Sequence, residues 1–118
     1  MGAREKIMAW SENKRVYICS PFRGAVLQNT KYAQKALRDS LDREEAPLVV
    51  HLVYPQALND DNTFERNIAI NAGVAWLKSA DLLAVYSDRG ISEGMWLEIG
   101  LARELNIPVE VRSIPADL

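Results

Sequence analysis

Short β-rich runs alternate along this chain with longer stretches of helical periodicity. Arg15-Val-Tyr-Ile-Cys-Ser20 is a compact run of β-branched and aromatic residues closed by Pro21, and it predicts a first strand. From about 29 to 45, Tyr32, Ala33, Ala36, Leu37 and Leu41 recur at helical spacing with Lys, Arg and Asp between them, which predicts an amphipathic helix. After Pro47, Leu48-Val-Val-His-Leu-Val-Tyr54 predicts a second strand, stopped by Pro55 and the Asn-Asp-Asp-Asn sequence at 59–62. A second helix, about 64 to 78 with Asn62 or Thr63 as its cap, is apolar around much of its circumference. That predicts burial on two sides, including against another subunit. Asp81 to Tyr86 predicts a third strand, Ser87 to Glu93 a loop, the following segment to Leu105 a third helix, and Ile107 to Arg112 a fourth strand.

The alternation predicts right-handed crossovers and an α/β fold: a three-layer, doubly wound sheet of four or five mainly parallel strands, flavodoxin/Rossmann-like. The expected organisation is one domain over 15–118 behind a polar, flexible tail at 1–14. Ligands bind such sheets beyond the carboxyl ends of the strands, so the loops at 20–25, 54–62 and 87–93 are where chemistry is expected.

Glu98 stands out in the third helix. Leu97, Leu101, Leu105, Ala102 and Met95 span one apolar arc, with Glu98 near its centre. Helical side chains lean toward the N-terminus, so the carboxylate points over Gly94, where no side chain fills the space. Either Glu98 lines a ligand site, or it extends past Gly94 to water or an unseen cation. Ser92 is a natural N-cap for this helix. Its hydroxyl, with the N–H groups of Glu93 and Gly94 and the positive dipole end, could equally hold a phosphate.

Composition narrows the function. At 118 residues, 48% hydrophobic and 25% charged, the chain supports one core, and a formal charge of -2 without a long basic run argues against a polymeric nucleic-acid partner. One cysteine, Cys19, excludes an intramolecular disulfide and fits a reducing cytoplasm; with a single histidine it cannot build a zinc site, metal held by carboxylates is left open without a motif to support it, and no cofactor is expected. No apolar stretch reaches membrane-spanning length and the N-terminus lacks a secretory signal's apolar core, which predicts a soluble cytoplasmic protein without a membrane partner.

Other candidate residues each admit an ordinary role. Arg23, beyond the first strand, is the best-placed cation to offset two neighbouring negative groups, or else a solvated loop residue. Tyr17 is a core aromatic whose phenol could orient a carboxylate. Asp81 is a strand-edge acid that could reach a ligand, and His51, mid-strand, reads as a core imidazole rather than a general acid.

Three segments carry a resemblance: Tyr17-Ile-Cys-Ser-Pro-Phe-Arg-Gly24, Trp76-Leu-Lys-Ser-Ala-Asp-Leu-Leu-Ala-Val85, and Ser92-Glu-Gly-Met-Trp-Leu-Glu-Ile-Gly-Leu-Ala102. Over about 15 to 111 the chain resembles the nucleoside 2-deoxyribosyltransferase-like superfamily, especially its 2'-deoxynucleoside 5'-monophosphate N-glycosidase branch, and also small phage and bacterial members with a Gly-Ile-Ser-x-Gly-Met motif. The resemblance implies that Glu98 attacks C1' of a deoxyribonucleotide, or serves as general base there, with Tyr17 orienting it. It also implies that Asp81 steers Glu98 or protonates the departing base. Ser92, Gly94, Arg23, Gly24 and Ser20 would form the substrate- and phosphate-binding set, with His51 near the ligand. The implied reaction is hydrolysis of the N-glycosidic bond of a 2'-deoxynucleoside 5'-monophosphate, or deoxyribosyl transfer. It would run through an oxocarbenium-like state that a carboxylate stabilises or captures. A homodimer or larger homo-oligomer in a bacterial cytoplasm, bacterial or phage-encoded, is expected.

The chain also departs from the pattern. Pro21-Phe22 replaces smaller residues, Met95-Trp96 adds bulk beside the catalytic turn, and residues that the monophosphate branch takes from a neighbouring subunit's C-terminus have no match. The alternative expectation is therefore a non-catalytic binder of a nucleotide or an ADP-ribose-like ligand.

Overall fold

The computed structural model describes residues 13–118. The tail expected at 1–14 falls outside the described residues except for its last two positions. Four strands, β1 (Arg15–Cys19), β2 (Ala46–Leu48), β3 (Leu82–Tyr86) and β4 (Val109–Arg112), form one sheet in the order β2-β1-β3-β4. Every neighbouring pair is parallel. The helices are α1 (Val26–Asp42), the short α2 (Val50–Val53) that runs into a 3-10 turn at Tyr54–Gln56, α3 (Thr63–Lys78) and α4 (Glu93–Glu104).

The strands are apolar on consecutive residues because both faces of the sheet are covered. Val16, Ile18, Leu82, Ala84 and Tyr86 pack on one face with Tyr32, Ala33 and Ala36 of α1. Tyr17, Cys19, Leu83 and Val85 pack on the other with Leu77 of α3 and Met95, Ile99 and Ala102 of α4. This is the expected three-layer α/β fold, with four strands. Strand order reverses between β1 and β3, and the crevice above that point is where open α/β sheets bind ligands.

The second strand departs from expectation. Strand pairing stops at Leu48, opposite Tyr17, and the apolar run that follows coils into α2 instead of extending to Tyr54. β2 is an edge strand with one neighbour, so little ladder rewards its extension; its Pro47 is tolerated for the same reason. The coil buries Val49 against the α1 side and Val50 against the other. His51 is consequently on a short helix over the carboxyl edge, not inside a strand.

Two smaller differences have local causes. α1 starts three residues early and ends at Asp42, where Glu44 adopts a left-handed φ of 60°. The fourth strand begins at Val109, after Pro108.

A buried polar cluster ties the far end of α1 to β4. The Arg112 guanidinium, in a residue only 4% exposed, donates two hydrogen bonds to Glu45 at 2.8 and 2.7 Å, and Tyr86 donates its hydroxyl to Asp39 at 2.6 Å. Burial pushes the Glu45 carboxyl up, but Arg112 and Ser40 outweigh it and hold Glu45 below its ordinary value. This cluster lies on the α1 face, away from the crevice.

Candidate functional site

α3 and α4 both run down from the carboxyl edge on the same face of the sheet, yet they do not close on one another. Between them, over β1, lies a cavity of about 590 Å³ whose wall includes Tyr17, Ser20, His51, Gly73, Ser92, Gly94 and Glu98.

Glu98 is half-buried on that wall. The rotation of α4 differs from the expected one: Met95, Ile99 and Ala102 face the core, while Leu97 is 71% exposed. Glu98 therefore flanks the buried stripe instead of centring it. Gly94, Leu97, Glu98 and Leu101 form the face that looks onto the cavity. The hollow expected beside Gly94 is present, since a Cβ there would meet only the Ser92 Oγ, at 4.0 Å.

Burial pushes the Glu98 carboxyl up to about 7, against the opposing pull of hydrogen bonding from Tyr17 and Cys19. Burial and then the Glu98 charge drive both of those groups far above their ordinary values, so phenol and thiol stay protonated and available as donors. Tyr17 and Glu98 thus share one cavity wall. Cys19 was legible in sequence only as a strand residue, because nothing in one chain marks it as facing Glu98. The Cys19 thiol donates to the Met95 carbonyl oxygen, 3.9 Å away.

Ser92 caps α4 as expected. Its Oγ accepts from the Met95 N–H at 3.3 Å and its own N–H points at the Met95 sulfur at 3.4 Å. The hydroxyl proton remains free to donate outward, as do the N–H groups at the start of the helix. Ser20, at the carboxyl end of β1, is 1% exposed, and its hydroxyl has no hydrogen-bond partner. A buried hydroxyl on a cavity wall without a partner is uncommon in a finished interior and suits a site that receives a polar ligand.

The remaining candidates divide. His51 stacks on Phe22, ring centroids 5.0 Å apart and planes 17° from parallel. Burial holds its pKa below the ordinary value, although the Asp60 charge and the Ser20 backbone oppose that. Arg23 reaches the cavity rim but is paired with Asp60 at 3.3 Å, and its side chain is 62% exposed. Gly24, with φ of 90°, turns the loop and lies on an adjoining shallow groove instead of the cavity wall. Asp81 is not brought to the site at all. It accepts from the Arg15 backbone N–H at 2.9 Å and pairs with the Arg15 side chain, at the amino ends of β1 and β3, the opposite edge of the sheet.

The loops that frame the cavity are held by residues the sequence did not single out. Asn29 of α1, buried, donates to the carbonyls of Phe22 and Arg23 at 3.1 and 3.3 Å and accepts from Arg89 at 2.8 Å. Tyr32 donates to Asp88 at 2.6 Å and accepts from the Asp88 N–H at 2.9 Å. One helix therefore fixes both loops that follow β1 and β3. Asn29 sits on the apolar side of α1, a misplaced polar residue that could have flagged it.

Among the described residues no group of three or more His, Cys, Asp or Glu could hold a metal ion. Among them too, no helix is long and apolar enough to cross a membrane.

The fold is that of 2-deoxyribosyltransferase. The enzyme of that name from Bacillus psychrosaccharolyticus superposes with a TM-score of 0.70 at 19% identity, over 88% of this chain and 75% of the other. A conserved protein from Enterococcus faecalis V583 superposes with a TM-score of 0.53 at 25% identity, over 84% of this chain and 62% of the other. No curated protein matches the chain. Residues 14–112 match the family model described as a domain of unknown function, DUF7768, and the chain belongs to that family.

Proposed function

We propose that this protein cleaves the N-glycosidic bond of a 2'-deoxynucleoside 5'-monophosphate, with Glu98 acting at C1'. The observation that carries the reading is the setting of Glu98: a half-buried carboxyl, its pKa raised by burial to about 7, that shares with Tyr17 the wall of a cavity at the switch point of the sheet. The bond from C1' to the base nitrogen breaks as positive charge grows at C1'. The bond's electron pair leaves with the base nitrogen; an ionised Glu98 stabilises the charge at C1' or bonds to it, and water or a second base then adds at C1', the proton it gives up ending on the departed base. Tyr17, acting through Glu98, fixes the carboxylate's angle. Asp81, at the far edge, takes no part.

Incubating the purified protein with the four deoxynucleoside monophosphates, their modified-base forms and the matching nucleosides tests this, with Glu98→Ala as control. Base release that Glu98→Ala abolishes supports the reading, and no release from any substrate refutes it.

The remoteness of Asp81 favours a second reading, a non-catalytic binder of a nucleotide or ADP-ribose-like ligand, since Glu98 then lacks the second acid expected beside it. A ligand that raises the melting temperature of wild type and Glu98→Ala alike, without turnover, identifies this case.

The same proposal includes self-association. Phe64, 74% exposed, with Ile68, Ile70 and Trp76 leaves α3 apolar toward solvent, and only Gly73 and Leu77 of that helix are buried. A second copy of the chain covering this face would also wall the open side of the cavity. Light scattering that finds a monomer at high concentration removes that part.

A further inference from the structure

Arg66 is a cavity-wall arginine on the first turns of α3, half-buried, and no carboxylate among the described residues lies within ion-pair distance of it. That contrasts with Arg23, which is exposed and already paired with Asp60. Asp60, Glu65, Glu93 and Glu98 line the same cavity, but none of them is paired with Arg66, and a half-buried guanidinium without its own counter-charge is completed by a ligand's anionic group.

Its height in the cavity can be read from the helices. Gly73 of α3 touches the level of Tyr17, because a Cβ built on it would meet the Tyr17 hydroxyl oxygen. Arg66 is seven residues nearer the start of α3, about 10 Å toward the carboxyl edge. Ser92 is six residues nearer the start of α4 than Glu98, about 9 Å in the same direction. Arg66 and the amino end of α4 therefore stand at matching height on facing walls, above the Tyr17–Glu98 level. Ser20, with its buried and unpartnered hydroxyl, is on the same wall system at the end of β1.

The geometry points to Arg66 as the cation of an anion subsite that it forms with the amino end of α4 and the Ser20 hydroxyl, taking the phosphoryl group of the ligand and selecting phosphorylated over unphosphorylated forms. The inference rests on the nucleotide reading above for the identity of the ligand, but not for the existence of the subsite. Arg66, rather than Arg23, sets the preference for a monophosphate.

Titration calorimetry with a deoxynucleoside monophosphate and its nucleoside, on wild type, Arg66→Gln and Arg23→Gln, tests the selection. Arg66→Gln is expected to weaken the monophosphate about ten- to a hundredfold while leaving the nucleoside within about twofold, with a smaller loss in Arg23→Gln. Equal losses for both ligands, or none, overturn the inference. A second arm uses wild type alone with inorganic phosphate, following the Arg66 Nε–H resonance by NMR. A saturable shift of that resonance supports the subsite even where no nucleotide binds, which would refute only the nucleotide reading; no saturable shift overturns the subsite.

Discussion

A methyl group on Gly73 would stand 3.0 Å from the hydroxyl oxygen of Tyr17. The glycine is in the middle of α3, where glycine is less favourable than alanine by roughly 1 kcal/mol, so its place there has a packing reason. That reason is the Tyr17 phenol, which is buried against the helix at this point.

Gly73→Ala is therefore expected to displace the phenol and act on Glu98 at one remove. Losing the Tyr17 donor removes a contribution that lowers the Glu98 pKa, so the carboxyl should titrate above about 7 in this variant, as in Tyr17→Phe. Carbon-13 NMR titration of the Glu98 side chain measures it. The overpacking itself is expected to cost about 1–3 kcal/mol of stability, and an unchanged Glu98 titration would show that the close approach has no electrostatic consequence.

Glu98 also links stability to pH. Its folded pKa is raised to about 7 from the ordinary 4.5, so between those values the folded state holds a proton that the unfolded chain has released. Stability is thus expected to fall as pH rises from about 4.5 to 7 and to level off above, by about 3 kcal/mol for this group. Glu98→Gln removes the effect. Relative to wild type, the variant should melt progressively higher from pH 5 to pH 8, and a constant difference in melting temperature over that range would contradict the raised pKa. Activity under the proposed function has the opposite slope, because the ionised carboxylate is the form that acts at C1'.

Ser20→Ala should separate binding from folding. The hydroxyl makes no hydrogen bond in the folded chain, so its removal is expected to leave the melting temperature equal or higher. Ligand affinity should instead drop by about 0.5–1.5 kcal/mol, read by calorimetry on the same samples. Loss of stability without loss of affinity would make Ser20 a structural residue only.

Arg112→Met should be the most damaging of these changes, although it is remote from the cavity. It leaves Glu45 half-buried without its bidentate partner, and the expected loss is about 3–5 kcal/mol by urea denaturation. Adding Glu45→Met should restore a substantial part. A double variant no more stable than Arg112→Met would show that the guanidinium acts through Tyr86 and Glu110 rather than through Glu45.

The sequence by itself determined the alternation of strands and helices and the cap at Ser92, because these follow from local periodicity and local hydrogen bonding. It also marked Glu98 and Tyr17, since a carboxylate on a half-apolar helix and a motif of fixed spacing are visible in one dimension. Only the tertiary structure decided what depends on which edge of the sheet a residue occupies and what faces it. Asp81 and Ser20 are both strand-end polar residues, yet one lies at the amino edge with Arg15 and the other at the carboxyl edge on the cavity. His51 left its expected strand because an edge strand with one neighbour gains little by continuing. Cys19, Gly73 and Arg66 acquired their significance from neighbours tens of residues away, through packing that no local pattern encodes. Glu98 does not centre the apolar face of α4 but stands at its margin, and that margin turns the carboxylate toward the cavity while burial raises its pKa to about 7.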